Sequence, residues 1–410
     1  MKNFQLFLSC CLSATLLSCN NQSKPIAKAQ LLPGEDDQKT VQTALINVKP
    51  GDTLFFGEGK FNFQASVSME GVDSVVLKGV SHDKTIFSFK NQTEGAEGVK
   101  ISNVNTFTIQ DIGIEDTKGD GIKIDHSENI VMRRVRTEWT NGADSSNGSY
   151  GLYPVSSKNV LMEECVAIGA SDAGIYVGQS ENAIVRRNIA ERNVAGIEVE
   201  NTDYAEVYEN TVTNNTAGIM IFDLPDLPEK NGKYVKIYKN KIMNNNHPNF
   251  SKRGIAIFMV PSGTGLLLMA CQHVDAYENE ISGNNTMPAA IIKLIGDQKI
   301  IERQQRDSLF NIYPSSVYVH DNNFTVAPAM PDTTRAFGRI FFEAFGMHVP
   351  TIYYDGSTNP ELAVNGKYPD EHRICIRNNG AATFFNSAAK STEVAAFDCE
   401  FAAFPVVQLP

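Results

Sequence analysis

The 410-residue chain is 42% hydrophobic and 20% charged, a balance that argues against disorder over most of its length. Its formal charge of −11 argues against nucleic acid as a partner, because phosphate binding needs a clustered positive surface. A densely anionic polysaccharide is disfavoured too, unless a local basic strip offsets the global field.

Residues 1–19 read MKNFQLFLSCCLSATLLSC: one Lys, an apolar run too short to span a bilayer, then Leu16-Leu17-Ser18-Cys19. This ending resembles the bacterial lipoprotein box. The resemblance implies that residues 1–18 are a signal peptide and that Cys19 is lipidated, with residues 19–34 as a polar tether. Asn20 is not the Asp that favours inner-membrane retention, so an outer-membrane anchor in the bacterial envelope is implied, and that lipid is the only membrane contact expected. Cys10 and Cys11 leave with the signal. Cys165 and Cys271 fall in apolar strand patterns, and Cys375 and Cys399 are the pair available for a disulfide in an exported protein. No Cys/His metal spacing is present.

Residues 35–50 begin with acids, carry Val41, Ala44, Leu45 and Val48 at helical spacing, and stop at Pro50-Gly51. A short amphipathic helix is expected there, covering the open edge of the first strands after it.

From residue 74 the sequence repeats itself. One strand type runs GIKID at 121, GLYPV at 151, GIYVG at 174, GIEVE at 196, GIMIF at 218 and GLLLM at 265. A second runs NIVMRRV at 129, NVLMEEC at 159, NAIVRRN at 182, YAEVYEN at 204 and onward to SVYVHDN at 316. The tightest interval is 22 residues, which suits three short strands and three turns rather than a helix pair. The expected fold is all-β, a right-handed parallel β-helix of roughly nine to eleven coils over residues 35–324, with residues 325–410 as an irregular C-terminal cap. Asn188, Asn210, Asn240, Asn279 and Asn322 recur at one repeat position, and Asn193, Asn215, Asn245 and Asn284 at another. Stacked coils bring such amides into register as a structural ladder.

Insertions at 137–150, 223–234, 246–264 and about 295–315 fall at the two corners flanking the Gly-initiated strands, so they are expected to wall a groove along that sheet. Alternation places Lys123, Tyr153, Tyr176, Glu198, Met220 and Leu267 in one outward column, and Asp125, Val155, Gly178, Glu200, Phe222 and Met269 in the next. Tyr153 and Tyr176 suit sugar stacking, with Trp139 overhanging them, and Gln179 and Asp223 add polar contacts at the facing corner. Glu198 and Glu200, with Cα atoms roughly 6.5–7 Å apart, are the acid/base candidates, beside a notch at Gly178. Asp125 with His126 is a further acid/base candidate. Repulsion between the two Glu side chains can recruit a cation such as Ca²⁺, but no ligand set is assignable and no other cofactor is indicated. A second face carries Tyr208, Tyr238, Tyr277 and His320 as stacked rings, and Glu163 and Glu164 neutralise a strip of Arg133, Arg134, Arg136, Arg186 and Arg187.

The run from Gly151 to Thr202, with GIMIFDLPDLP after it, resembles exported bacterial parallel β-helix proteins, within the broad pectate-lyase-like class of sugar-binding and sugar-cleaving β-helices. That resemblance implies export and a polysaccharide partner, cleaved or modified, with another exported, cytochrome-like protein as the alternative partner. The motifs of the enzyme families match in part only. Asn201-Thr202-Asp203 stands alone of the polygalacturonase set, and Ile124-Asp125-His126-Ser127-Glu128 lacks the Pro of the epimerase motif. Met220, Phe222, Leu267 and Met269, if flat and exposed, suit a protein partner on which the chain acts as a scaffold.

Overall fold

The computed structural model describes residues 30–410 except 297, 326 and 366. Cys10, Cys11, Cys19 and the signal segment lie outside the described residues. Among the described residues, three parallel sheets of 11, 10 and 11 strands wind through every coil. Each strand pairs with its equivalent one coil on, as in Ile175↔Ile197, Ile197↔Ile219 and Ile219↔Leu266. The fold is the right-handed parallel β-helix, with few helices.

Period-two alternation decides the core. Ile175, Val177, Ile197, Val199, Ile219 and Ile221 are all buried in one continuous apolar column that begins at Val41 of the first helix, α1 (Asp37–Asn47). In α1, Val41, Leu45 and the following Val48 are buried against the first coil, and Asp36 caps the helix by accepting from Lys39 N–H. The corners are sharp enough to need left-handed backbone. Asn103, His126, Ser156, Gln179 and Asn201 occupy one corner column with φ of 55°, 48°, 49°, 51° and 43°.

The asparagines stack as a ladder inside the corner. Asn188 Nδ2 donates to Asn210 Oδ1 at 3.0 Å, Asn210 to Asn240 at 2.9 Å, Asn240 to Asn279 at 2.9 Å and Asn279 to Asn322 at 2.9 Å. Asn379 continues the ladder, accepting from Asn322 at 3.0 Å. Asn193, Asn215, Asn245 and Asn284 form the second ladder. A third runs along the outside, from Asn182 through Asn159 and Asn129 to Asn105, at 2.8–3.1 Å.

The array extends past residue 324. Ile352–Tyr354 and Phe384–Asn386 extend the Gly-strand sheet, and Ile374–Arg377 extends the Tyr-bearing sheet. The C-terminal segment thus adds coil strands as well as a cap. A Cys375–Cys399 disulfide ties the last part of the chain to the outermost of these strands. Cys165 and Cys271 are buried free thiols. On the Tyr-bearing face, Tyr208, Tyr238, Tyr277 and His320 stack with centroids 4.7, 5.0 and 5.2 Å apart. Glu163 gathers Arg133, Arg186 and Arg187 at 2.5–2.8 Å. Burial pushes its pKa up, but these cations outweigh that and hold it below the ordinary carboxylate value.

A candidate site under a three-part roof

The Gly-strand sheet is not an open face. Three segments cross it: the short 3₁₀ turn Ala256–Met259 within the insertion at 246–264, α2 (Gln298–Arg306) within that at 295–315, and α3 (Ala336–Phe345) from the C-terminal segment. Between sheet and roof lies a cavity of about 560 Å³. Its floor belongs to the outward columns predicted from alternation, in the order Glu198, Met220, Leu267 and, alongside, Glu200, Phe222, Met269, continued by Ile292. Met220, Phe222, Leu267 and Met269 are buried at 2–7% exposure with the roof packed over them, so they are no flat patch for a protein partner.

Carboxyls occupy one end of that floor. Glu198 is 2% exposed and Glu200 8%, and both line the cavity together with Tyr150 and the half-buried Asp172. Burial drives the Glu198 pKa well above the ordinary value, and the neighbouring Asp172 and Glu200 push it further. Asp172 is pushed up to about 7, first by burial, with a Tyr150 hydrogen bond acting against it and Glu200 with it. Glu200 is raised less completely: burial lifts it, while the Tyr176 hydroxyl, donating at 2.6 Å, and the Arg303 cation oppose. One step away, burial lifts Asp120 to about 6, although it accepts the Tyr150 backbone N–H at 3.2 Å. The set thus holds a carboxyl whose pKa is raised well above the ordinary value, a second raised to about 7 and an oriented acceptor on adjoining coils.

Several sequence expectations need correction. Trp139 does not overhang the tyrosines: it is 5% exposed, donates Nε1–H to Thr117 O at 2.8 Å, and packs where a Cβ on Gly148 would collide with its ring. Tyr176 is 3% exposed and folds over Gly178, so its ring fills the expected notch. Tyr153 packs against Tyr150 and Tyr176 at 4.5 and 5.0 Å with Lys123 over its face, a closed cluster in place of an open sugar platform. Asp223 is 3% exposed, lies outside the cavity lining and has an Oδ2 without a hydrogen-bond partner among the described residues; its pKa is raised by burial and Glu200. Gln179 serves the left-handed corner and also does not line the cavity. Asp125 shares the Glu200 column but sits three strands up, about 14 Å away. Its Oδ1 meets His126 Nδ1 at 3.1 Å on a largely exposed ring, apart from the carboxyl cluster.

Asp172 and Tyr150 are the residues sequence reasoning missed. Both occupy the corner just before a Gly-initiated strand, in the turns NGSYG and GASDAG, and the lone acid there was the available signal. Among the described residues no group of three or more His, Cys, Asp or Glu side chains is placed to hold a metal ion.

Residues 144–327 match the family described as the right handed beta helix region. No curated protein has a sequence similar to this chain. Among solved structures, the chain is similar to the A-module of the mannuronan C-5 epimerase AlgE4 of Azotobacter vinelandii, with a TM-score of 0.50 and 12% identity over 92% of this chain and 96% of that one. It is similar in the same degree, 0.50 and 12%, to the AlgE6 A-module of that organism, over 87% of this chain and 95% of that one. At such identity the likeness is one of fold. The chain folds as a right-handed parallel β-helix, and residues 144–327 match the right-handed β-helix family.

Proposed function

We propose that the chain binds a glycan at the roofed Gly-strand cavity and acts on it by acid/base chemistry, held at the bacterial outer membrane through a lipid on Cys19. The observation that carries this reading is the convergence of Asp172, Glu198 and Glu200 with Tyr150 at one end of a cavity. Glu198, whose pKa burial raises well above the ordinary carboxylate value, serves as proton donor; Glu200, oriented by Tyr176, serves as acceptor; Asp172, pushed up to about 7, exchanges protons beside them. Hydrolysis, elimination and epimerisation of a sugar each need such a donor and acceptor. The two structurally similar epimerase modules act on a polysaccharide by name, which supports a sugar as the reactant.

The test is an NMR time course of the purified protein with a panel of polysaccharides and oligosaccharides. New reducing-end, unsaturated or epimer signals that vanish in Glu198→Gln and Glu200→Gln are expected. Chemistry that survives both substitutions would sink the site, and absence of both turnover and line broadening across the panel would sink the glycan reading. Mass spectrometry of the chain isolated from membranes tests the anchor: an unmodified Cys19 refutes it.

A further inference from the structure

The cavity is amphipathic along its length, and this bears on what the sugar carries. From Glu198 the floor runs through Met220 to Leu267, two strand spacings or about 10 Å, without another polar side chain in that column. The adjacent column runs from Glu200 through Phe222 and Met269 to Ile292, equally apolar. Above them the roof contributes Ile257, Ile300 and Phe341, all buried at 3–7% exposure, with Ile340 at the rim. A polysaccharide presents hydroxyls along its whole length, and each hydroxyl placed on this floor would lose water without gaining a partner. A pocket of about 560 Å³ with its acid cluster at one end, and at the other Asp355 accepting from the Lys293 and Ser357 N–H groups, is instead the form that orients a small amphiphile.

Resting on the glycan reading, we infer that the substrate class is a glycoside bearing an apolar tail, alkyl, acyl or isoprenoid, whose sugar meets Glu198, Glu200 and Tyr150 while its tail lies along Met220, Leu267 and Met269. The tail is then an anchor that fixes the glycosidic carbon over the two Glu side chains. Cationic heads are the chemical alternative at a cluster of acids, but Lys299 and Arg303 line the same cavity and oppose one.

The experiment is calorimetric titration of the full chain with methyl, hexyl, heptyl and octyl glycosides of glucose, galactose, mannose and glucuronate, each below its micelle concentration, with 1-octanol, octylamine and tail-free oligosaccharides alongside. Affinity should rise about fourfold per methylene for at least one sugar, and octanol and octylamine should bind at least about tenfold more weakly than that octyl glycoside. Ile340→Glu, at a rim position 55% exposed and therefore tolerant of charge, should flatten the chain-length dependence. Glu198→Gln should change the preference among sugars and leave that dependence in place. Tail-free oligosaccharides binding as tightly as octyl glycosides would overturn the amphiphile inference and leave the glycan reading standing. Octanol or octylamine binding as tightly as every octyl glycoside would overturn the glycan reading itself. No binding by any glycoside would overturn the inference outright.

Discussion

Asn210→Ala should be among the most damaging single changes in the solenoid. The Asn210 side chain makes four hydrogen bonds at 0% exposure: Oδ1 accepts from Asn188 N and Asn188 Nδ2 at 2.9 and 3.0 Å, and Nδ2 donates to Val185 O and Asn240 Oδ1 at 2.9 Å each. Truncation strips the Asn188 backbone N–H of its acceptor and leaves Val185 O short of a donor, in a place water does not reach. At about 1–3 kcal/mol for each buried group left unsatisfied, the cost is about 3–5 kcal/mol. Asn159→Gly is the control. Asn159 makes the same amide–amide bonds in the outer ladder, but there water replaces them, and glycine keeps its φ of 54° without strain, so about 1 kcal/mol or less is expected. Native-state hydrogen exchange read at individual amides is the assay, because a repeat array opens locally and one global midpoint can miss the effect. Protection at Asn188 N–H should collapse in Asn210→Ala and persist in Asn159→Gly. Equal losses in the two variants, or an unchanged Asn188, would refute the claim that the inner ladder works through burial.

Asp172→Asn tests the carboxyl cluster through stability. A pKa raised from 3.8 to about 7 means that the folded state holds a proton the unfolded state has released, so this group's contribution is intact below about pH 4 and is lost as pH rises to about 7. The variant should therefore gain on the parent with rising pH, by at most about 4 kcal/mol at pH 8, and parallel pH profiles of unfolding would contradict it. Glu163→Gln should do the reverse. Its lowered pKa stabilises the fold above the ordinary carboxylate value and that contribution is lost as pH falls through the folded value, so the variant should be weaker by about 2–4 kcal/mol at pH 7 in denaturant titration and converge with the parent in acid. Trp139→Phe should cost about 1–2 kcal/mol in the same titration through its bond to Thr117, and leave ligand affinity unmoved; a large loss of affinity would return Trp139 to the site. Cys375→Ser should loosen the chain between 375 and 399 by about 3 kcal/mol, the loop-closure value for a separation of 24, seen as faster exchange confined to the last coil.

The coils were legible because their geometry forces letters to repeat. A strand position where a Cβ would collide with the core or the next coil admits only glycine, and a buried corner that bonds amide to amide admits only asparagine, so Gly196 and Asn210 recur at Gly218 and Asn240. The strands at 352–354 and 384–386 carry no such mark, and at 374–377 the mark is Asn379 alone, two residues after the strand as Asn322 is after His320, because long non-repeating segments separate these strands. Alternation puts Glu198 and Glu200 on the outward face of the correct sheet, but it cannot say whether that face meets water or another part of the chain. What covers that face is the roof of 256–259, α2 and α3, all further along the chain, whose apolar side chains carry no mark of the sheet they will meet. Trp139 failed for the same reason in miniature: its partners Thr117 and Gly148 are known only once coils stack.

The last residues of the chain return across the Tyr-bearing face. Phe401 lies edge-on to Tyr318, Phe404 against Tyr234 and His273, and Val407 N–H donates to Glu206 Oε1 from 201 positions away. Coils otherwise touch only their neighbours and can form in the order they leave the ribosome. This tail is a batten nailed across several planks, and α3 is its counterpart on the opposite side. Both belong to the final quarter of the chain, so the cavity and its acids come into being only after everything beneath them is already built.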